Sequence, residues 1–211
     1  MNRLVRNVAR TALIIAAPAT LAGCGINTIP TQDEATKTAW AEVQNQYQRR
    51  NDLIPNLVAT VKGYAAQEKD VLTAVTQARA SATSVKVDAS TITDPAQFQK
   101  FAASQDQLSG ALGRLMVVQE RYPELKSNQN FLALQSQLEG TENRIAIARR
   151  DYNLTAQTYN TTLRTFPSVL WAKTVYSGQK PAQLFQATAA AQSAPTVDFS
   201  SPPTATPPKA Q

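Results

Sequence analysis

The sequence predicts an all-α fold: an antiparallel up-down-up helical bundle with long coiled-coil-like helices and a short C-terminal helical segment. Three observations predict it. Glycine is scarce, with 7 in 211 residues, about half the usual share, while alanine, glutamine and leucine, which favour helices, are abundant. Apolar residues recur at heptad spacing from position 40 to position 82. Prolines at positions 95, 123 and 167 mark where the later helical patterns begin or end.

The first predicted helix begins at Asp33 and continues for about 50 residues. With Trp40 as heptad position a, eleven of the thirteen a and d positions up to Ala82 are apolar or aromatic, which is typical of a coiled-coil seam. A proline inside a helix usually causes a kink, yet the heptad phase continues unshifted through Pro55. We therefore expect one kinked helix here rather than two helices joined by a loop.

Two further helices and a shorter segment follow. Asp94 before a proline is a typical N-cap, and the second helix is predicted to end near Tyr122. The third helix is predicted from near Asn128 to Phe166, and one or two short helical pieces are predicted in residues 168–186. At about 1.5 Å per residue the second helix is about 40 Å long and the first about 75 Å. The second helix therefore cannot cover the whole seam, which is a reason to expect a homo-oligomer.

The N-terminal residues resemble the signal of a bacterial lipoprotein. Arg3, Arg6 and Arg10 precede an apolar run of 13 residues, shorter than the roughly 20 needed to span a bilayer. The run ends in Leu21-Ala22-Gly23-Cys24, which looks like a lipobox whose cysteine accepts lipid such as palmitate. The alternative is an ordinary signal, or an uncleaved anchor, with a cysteine there by chance.

This interpretation divides the chain into a signal peptide (1–23), a tether (24–32), a helical bundle (33–186) and a disordered Ala/Pro-rich tail (187–211). The expected location is the cell envelope, lipid-anchored on the periplasmic side of a membrane. Gly25, where an aspartate tends to retain lipoproteins at the inner membrane, favours the outer membrane weakly. Without its signal the chain would have 18 Lys and Arg against 15 Asp and Glu, so we expect no nucleic-acid partner.

The composition excludes several kinds of site. With no histidine and one cysteine, the chain can form no Ser-His-Asp triad, no His-ligated zinc and no cysteine cluster for a metal. Nothing in the sequence brings two carboxylates together in a cleft, although Glu68, Glu120, Glu139, Glu142 and Asp151 are available. We therefore expect no enzyme activity, no catalytic residue, no metal and no cofactor.

Two polar clusters are candidate structural or interaction sites. In the first, Arg50 occupies a seam position, where a charge needs a partner; Glu142 and Asp151 are the candidates, and an ion pair that fixes the register is favoured over a ligand site. The candidate residues of this cluster are Arg49, Arg50, Asp52, Asn56 and Glu142.

The second cluster is a pair of stripes on the third helix. Both stripes have heptad spacing, so they lie on one side of that helix. Packed tyrosines beside hydrogen-bonded asparagines are the favoured interpretation. The candidate residues here are Arg150, Asp151, Tyr152, Asn153, Tyr159, Asn160, Phe166, Pro167 and, just after them, Trp171.

These segments, in this order, resemble the LemA family. The resemblance covers roughly residues 39–186 and rests on Gln48–Val58, Val61–Tyr64, Glu68, Ala78–Ala80, Glu120–Leu125, Phe131–Leu134, Glu142–Ile145, Ala148–Asn153, Tyr159-Asn160 and Phe166-Pro167. It implies an antiparallel helical bundle attached to a bacterial membrane and exposed outside the cytoplasm, with an activity that is not established. Some members are linked with membrane shaping.

This chain departs from the family pattern in two places. Many members have an uncleaved transmembrane helix where this chain has the lipobox, and a histidine common before the matched Glu68 is Gln67 here. We therefore expect a non-enzymatic, membrane-anchored envelope scaffold, membrane-shaping or oligomeric. The alternative is an adaptor that binds an unidentified envelope protein or membrane lipid through the Arg49–Asp52 or Phe166–Trp171 region.

Overall fold

A computed structural model describes residues 25–186 of the chain. Within these residues there are six α-helices and two short 3-10 turns and no strand, which confirms the all-α class. The helices are α1 (Thr28–Tyr64), α2 (Lys69–Ser84), α3 (Pro95–Val118), α4 (Pro123–Lys126), α5 (Gln129–Thr162) and α6 (Ser168–Lys173). The 3-10 turns are Thr91–Thr93 and Gln119–Arg121.

The two longest helices, α1 and α5, pack against each other in opposite directions. The Asn128 amide donates to the Tyr64 hydroxyl at 2.8 Å, and the Trp40 and Tyr152 rings lie 5.3 Å apart between their centroids. The C-terminal end of α1 therefore lies beside the N-terminal end of α5, so the two helices form an antiparallel pair. Along this pair the seam positions of α1 from Trp40 to Val61 are buried, whereas Tyr64 at the end of the helix is 41% exposed.

The single first helix of about 50 residues that the heptad pattern predicts is wrong. The chain leaves the helical conformation at Ala65 (φ −131°, ψ 50°) and α2 begins at Lys69. It then folds back along α1, with the Arg79 guanidinium donating to the carbonyl of Asn51 at 2.9 Å. The bundle is therefore up-down-up-down with four long helices, rather than up-down-up with three.

The helix does continue through Pro55, as predicted. Proline has no N–H to donate to the carbonyl four residues earlier, which is the carbonyl of Asn51. The guanidinium of Arg79 supplies that missing hydrogen bond from α2. One side chain of the returning helix thus compensates for the proline in α1.

The fold-back also changes how the seam of α1 is covered. Seam positions before and after the break both face the interior, so Val61 and Val75 are completely buried in one apolar cluster. The seam is therefore covered within one chain, by α2, α3 and α5. The uncovered seam from which we expected a homo-oligomer is not present in residues 25–186.

Helix ends follow local sequence signals with small shifts. The Asp94 carboxylate accepts from the amides of Ala96 and Gln97, which confirms the predicted N-cap of α3. The first helix begins at Thr28, within the expected tether, where Ile29 is fully buried. The predicted signal peptide, Cys24 and the predicted tail lie outside the described residues.

The core consists of two apolar clusters with a polar layer between them. One cluster is aliphatic and holds Ile54, Leu57 and Leu115. The other is rich in aromatic rings, with Trp40 and Phe101 at 5.3 Å between centroids. The polar layer at their junction contains the first candidate site.

Candidate functional site

Arg50 lies at the centre of the polar layer and is 1% exposed. Its Nη1 donates to Oε1 of Glu142 at 3.0 Å and to Oγ of Ser109 at 2.7 Å. Its Nη2 donates to the side-chain and backbone oxygens of Gln105. Three helices, α1, α3 and α5, therefore meet on one guanidinium, whose planar fork suits several fixed acceptors.

An aromatic ring also lies beside Arg50. Its guanidinium carbon lies 5.0 Å from the centre of the Tyr47 ring, in a cation–π contact. Burial raises the pKa of Tyr47 above its usual value, so the ring beside the cation stays neutral. Of the two acidic partners that the sequence suggests, Glu142 makes the pair. Asp151 does not, because it lies at the surface and pairs with Arg150 at 3.0 Å.

The other candidate residues of the first cluster do not join the polar layer. Arg49 and Asn56 are exposed, and the exposed Asp52 carboxylate accepts from the amide of Gln48 at 2.8 Å. The first cluster thus consists of the buried Arg50, which contacts two other helices, and three residues on the outer face of α1. Gln105 and Ser109, which complete the layer, were missed because their positions on α3 carry no sequence signal for a contact with α1.

The second cluster holds the C-terminal segment of the described chain. Residues 179–186, which we call the strap, run extended and without helix along α5. The Tyr152 hydroxyl donates to the carbonyl of Gln183 at 2.7 Å, and the Tyr159 hydroxyl donates to the side chain of Gln179 at 2.8 Å. Burial raises the pKa of Tyr159 to about 12 and raises that of Tyr152 further, which keeps both hydroxyls protonated as donors.

The two asparagines of the second cluster hold the strap by its backbone. Asn153 donates to the carbonyl of Phe185 at 2.9 Å and accepts from its amide at 3.0 Å. Asn160 does the same with Ala182, at 2.8 and 2.7 Å. The heptad spacing predicts that the asparagines share a face. The short helical pieces predicted in residues 168–186 are confirmed only for α6, since residues 179–186 are not helical. Phe185 and Ala182 were therefore missed as the partners of Asn153 and Asn160.

The last stripe members and Trp171 lie at one end of the bundle. Phe166 is 79% exposed and Leu170 is 55% exposed, whereas Trp171 is half-buried against the aromatic cluster. Pro167 lies beside the start of the described chain, 3.8 Å from where a Cβ on Gly25 would be. The residue after the predicted lipidation site is therefore next to an exposed apolar surface.

Of the carboxylates that the sequence offers for acid–base chemistry, Glu139 and Glu142 line one surface cavity, where Glu142 pairs with Arg50 and Glu139 accepts from the amide of Gln135. Glu68 accepts from Arg121 and from the Tyr122 hydroxyl, and Glu120 pairs with Lys126 at 2.7 Å. Within the described part of the chain no three residues among His, Cys, Asp and Glu are grouped to hold a metal. Among residues 25–186, no helix has both the length and the apolar character needed to cross a membrane.

The chain is similar to known proteins over the same part of the sequence. A model of the LemA family matches residues 39–199. The chain belongs to the LemA family. The match to the LemA family begins where the resemblance in sequence begins, but it extends 13 residues beyond Gln186, into the segment that we expected to lie outside it.

Relatives of this LemA protein include magnetosome proteins. The chain is 28% identical over 177 residues to magnetosome proteins MamQ 1 and MamQ 2 of Paramagnetospirillum magneticum, covering 76% of this chain and 64% of each relative. It is 26% identical over 124 residues to protein LemA of Metamycoplasma hominis, covering 59% of this chain and 52% of that protein. The chain thus spans less than two thirds of these relatives, and none of their names is that of an enzyme.

Proposed function

We propose that this LemA protein is a non-enzymatic helical scaffold of the cell envelope, anchored to a membrane by lipid on Cys24 and exposed outside the cytoplasm. The observation that carries the proposal is that both polar clusters of the sequence are used in packing. Arg50 joins three helices, and the asparagine stripe holds the strap. The guanidinium of Arg50 and the amides of Asn153 and Asn160 thus have structural partners, which supports a scaffold rather than a reaction.

Two features support the anchor. The lipobox-like segment ends in the only cysteine of the chain, and Gly25 lies against the bundle at Pro167 and Ser168. A lipid on the preceding residue would therefore hold this end of the bundle close to the bilayer. More than one acyl chain is needed for stable attachment, which is the arrangement that a lipoprotein cysteine provides.

Metabolic labelling with an alkyne analogue of palmitate tests the anchor. We expect the wild-type chain to take up label and to sediment with membranes, and Cys24→Ser to lose both. Gly25→Asp should move the protein from the outer to the inner membrane in a density gradient. Gly25→Asn is the matched control, because it places an uncharged side chain of the same size at the same positive φ of 134°, so that both variants carry the same backbone strain. Label and membrane association that persist in Cys24→Ser would contradict the proposal.

The second candidate function is an adaptor that binds membrane lipid or another envelope protein through the Phe166–Trp171 region. The observation that favours it is the exposed apolar set Phe166, Leu170 and Val175. These residues lie close to the expected anchor, through Pro167 and Gly25. No comparable observation favours the Arg49–Asp52 region, since Arg50 there is buried.

Photo-crosslinking in cells distinguishes the two candidates. The double variant Phe166→Ser and Leu170→Ser should lose lipid or protein adducts if this surface binds a partner. Leu132→Ser is the matched control, because Leu132 is 47% exposed near the opposite end of the bundle. Adducts unchanged in the double variant would exclude the surface as a binding site.

A further inference from the structure

The strap lies on the bundle as an extended peptide lies in a binding groove. Asn153 and Asn160 each bond both the N–H and the C=O of one strap residue, Phe185 and Ala182 respectively. The amide of Gln183 donates to the carbonyl of Ile92 at 2.7 Å. Paired contacts of this kind recognise the backbone of any extended chain and set its direction and register.

Two strap side chains add selectivity to this backbone recognition. Ala182 is 4% exposed and Phe185 is 8% exposed, three positions apart. The Phe185 ring lies 4.8 Å from Phe98 and 5.7 Å from Tyr152 between centroids, with the Arg149 guanidinium 4.4 Å from its centre. The groove therefore selects a small residue followed three positions later by an aromatic residue.

We propose that this groove is a peptide-binding site whose second occupant is the strap of another copy of the same chain, so that exchange of straps links two copies. The strap carries the backbone groups, the small residue and the aromatic residue that the groove recognises. The strap of a second copy would therefore make the same contacts as the strap of the same chain. None of the strap contacts needs the strap and the groove to be in one molecule, which is the condition for exchange of an element between protomers.

The chain between the bundle and the strap is long enough for this exchange. Within the described residues no α-helix follows Lys173, and the connection from Lys173 to the first strap residue, Gln179, would span about 20 Å when extended. Four packed helices are about 20 Å wide, from interaxial distances of 8–10 Å. A released strap can therefore reach the groove of a neighbour that packs directly against the bundle while α6 stays in place.

The proposal goes beyond the proposed function, because it gives the homo-oligomer expected from the sequence a defined contact other than the seam of α1. In one molecule the strap has an effective concentration of about a millimolar or more near its own groove. The closed form is therefore expected to dominate in dilute solution. Copies anchored on one membrane would meet at higher local concentration, which favours exchange.

Mixing two full-length variants tests the exchange. The groove variant, Asn153→Ala with Asn160→Ala, keeps its strap but lacks the asparagine ligands. The strap variant, Ala182→Asp with Phe185→Ala, keeps its groove but lacks the two selected side chains. The matched controls are Leu154→Ala on α5 and Leu184→Ala in the strap, because both side chains are exposed.

We expect each variant alone to be monomeric in detergent by native mass spectrometry. Their mixture should form a 1:1 heterodimer, at least about 10-fold more abundant than dimers in the mixed controls at about 100 μM of each chain. A mixture that stays monomeric while both variants retain wild-type helix content by circular dichroism would overturn the proposal. If the strap variant loses helix content, Phe185→Ser alone replaces it.

A labelled peptide with the sequence of residues 178–188 tests the groove directly. We expect it to bind the strap variant at least about 10-fold more tightly than a peptide with Phe185→Ala does, a difference of about 1.4 kcal/mol. Removal of both asparagines from the strap variant should abolish binding. Peptide binding without a heterodimer would reject the second copy as occupant, and absence of both would reject the groove as a binding site. Both measurements are independent of lipid on Cys24, so membrane fractionation of Cys24→Ser separates this proposal from the proposed anchor.

Discussion

The contact between Arg79 and the carbonyl opposite Pro55 makes a quantitative prediction. Arg79→Ala removes a charged donor from the half-buried carbonyl of Asn51. A hydrogen bond to a charged group contributes about 1.5–3 kcal/mol, so we expect the free energy of unfolding to fall by about 2 kcal/mol. The carbonyl needs Arg79 only because residue 55 has no N–H.

The double-mutant cycle with Pro55→Ala isolates this compensation. Alanine at position 55 restores the N–H and with it the hydrogen bond within α1. In the Pro55→Ala protein, Arg79→Ala should lower the free energy of unfolding by no more than about 0.5 kcal/mol, the usual limit for a surface substitution. The expected coupling between the two positions is therefore about 1.5 kcal/mol.

Urea unfolding followed by far-UV circular dichroism measures all four members of the cycle. Arg114→Ala is the matched control, because this exposed arginine contacts a carbonyl of its own helix at 3.5 Å and is unrelated to Pro55. The control should show the same small effect in both backgrounds. An equal cost of Arg79→Ala with proline and with alanine at position 55 would refute the reasoning.

Three further predictions concern the polar layer, the strap tyrosines and a helix cap. Arg50→Ala should lower the free energy of unfolding by about 3–5 kcal/mol, because it leaves the buried partners of Arg50 unpaired, and Arg50→Met should lower it by less. Urea unfolding measures both variants, and an equal loss of free energy in the two would contradict the role of the polar layer. Since the pKa of Tyr159 is raised to about 12, only the unfolded state loses this proton just above pH 10. The contribution of Tyr159 to stability should therefore be constant below pH 10 and fall as pH rises towards 12. Urea unfolding between pH 9 and pH 12 measures this fall, which Tyr159→Phe should weaken. Asp94→Ala should cost about 1 kcal/mol by loss of the N-cap, seen as a melting temperature about 2–4 °C lower; an unchanged melting temperature would contradict the capping role.

The sequence predicts the helical class and the buried seam because both depend on local periodicity. The break between α1 and α2 escaped this reasoning for a physical reason. Both helices pack on the same interior, so Val61 and Val75 satisfy one uninterrupted heptad pattern although the chain reverses between them. Periodicity reports which face of a helix is buried and not whether the helix continues.

The strap shows a second limit of local patterns. Its extended backbone is held by side chains of α5, and its Phe185 is buried by three other elements. The sequence predicts short helical pieces in residues 168–186, and no local pattern indicates that residues 179–186 are instead held along α5 without a helix. Asn153 and Asn160 were found by their spacing, but what they bind could be seen only in the fold.

The polar layer explains how one register is selected for α1 and α5. Apolar seams at heptad spacing still match after a slip of seven residues. Such a slip, however, would move Arg50 from the level of Glu142 to that of Gln135 or Arg149. A buried arginine without its carboxylate, or beside another cation, costs several kcal/mol, and this cost adds to that of exposing apolar side chains at the two helix ends. Arg50, for which the sequence favours an ion pair that fixes the register over a ligand site, is therefore best understood as the residue that fixes the register of the bundle. The strap groove depends on that register, because Asn153 and Tyr152 on α5 must face Trp40 and Phe98 for Phe185 to be enclosed.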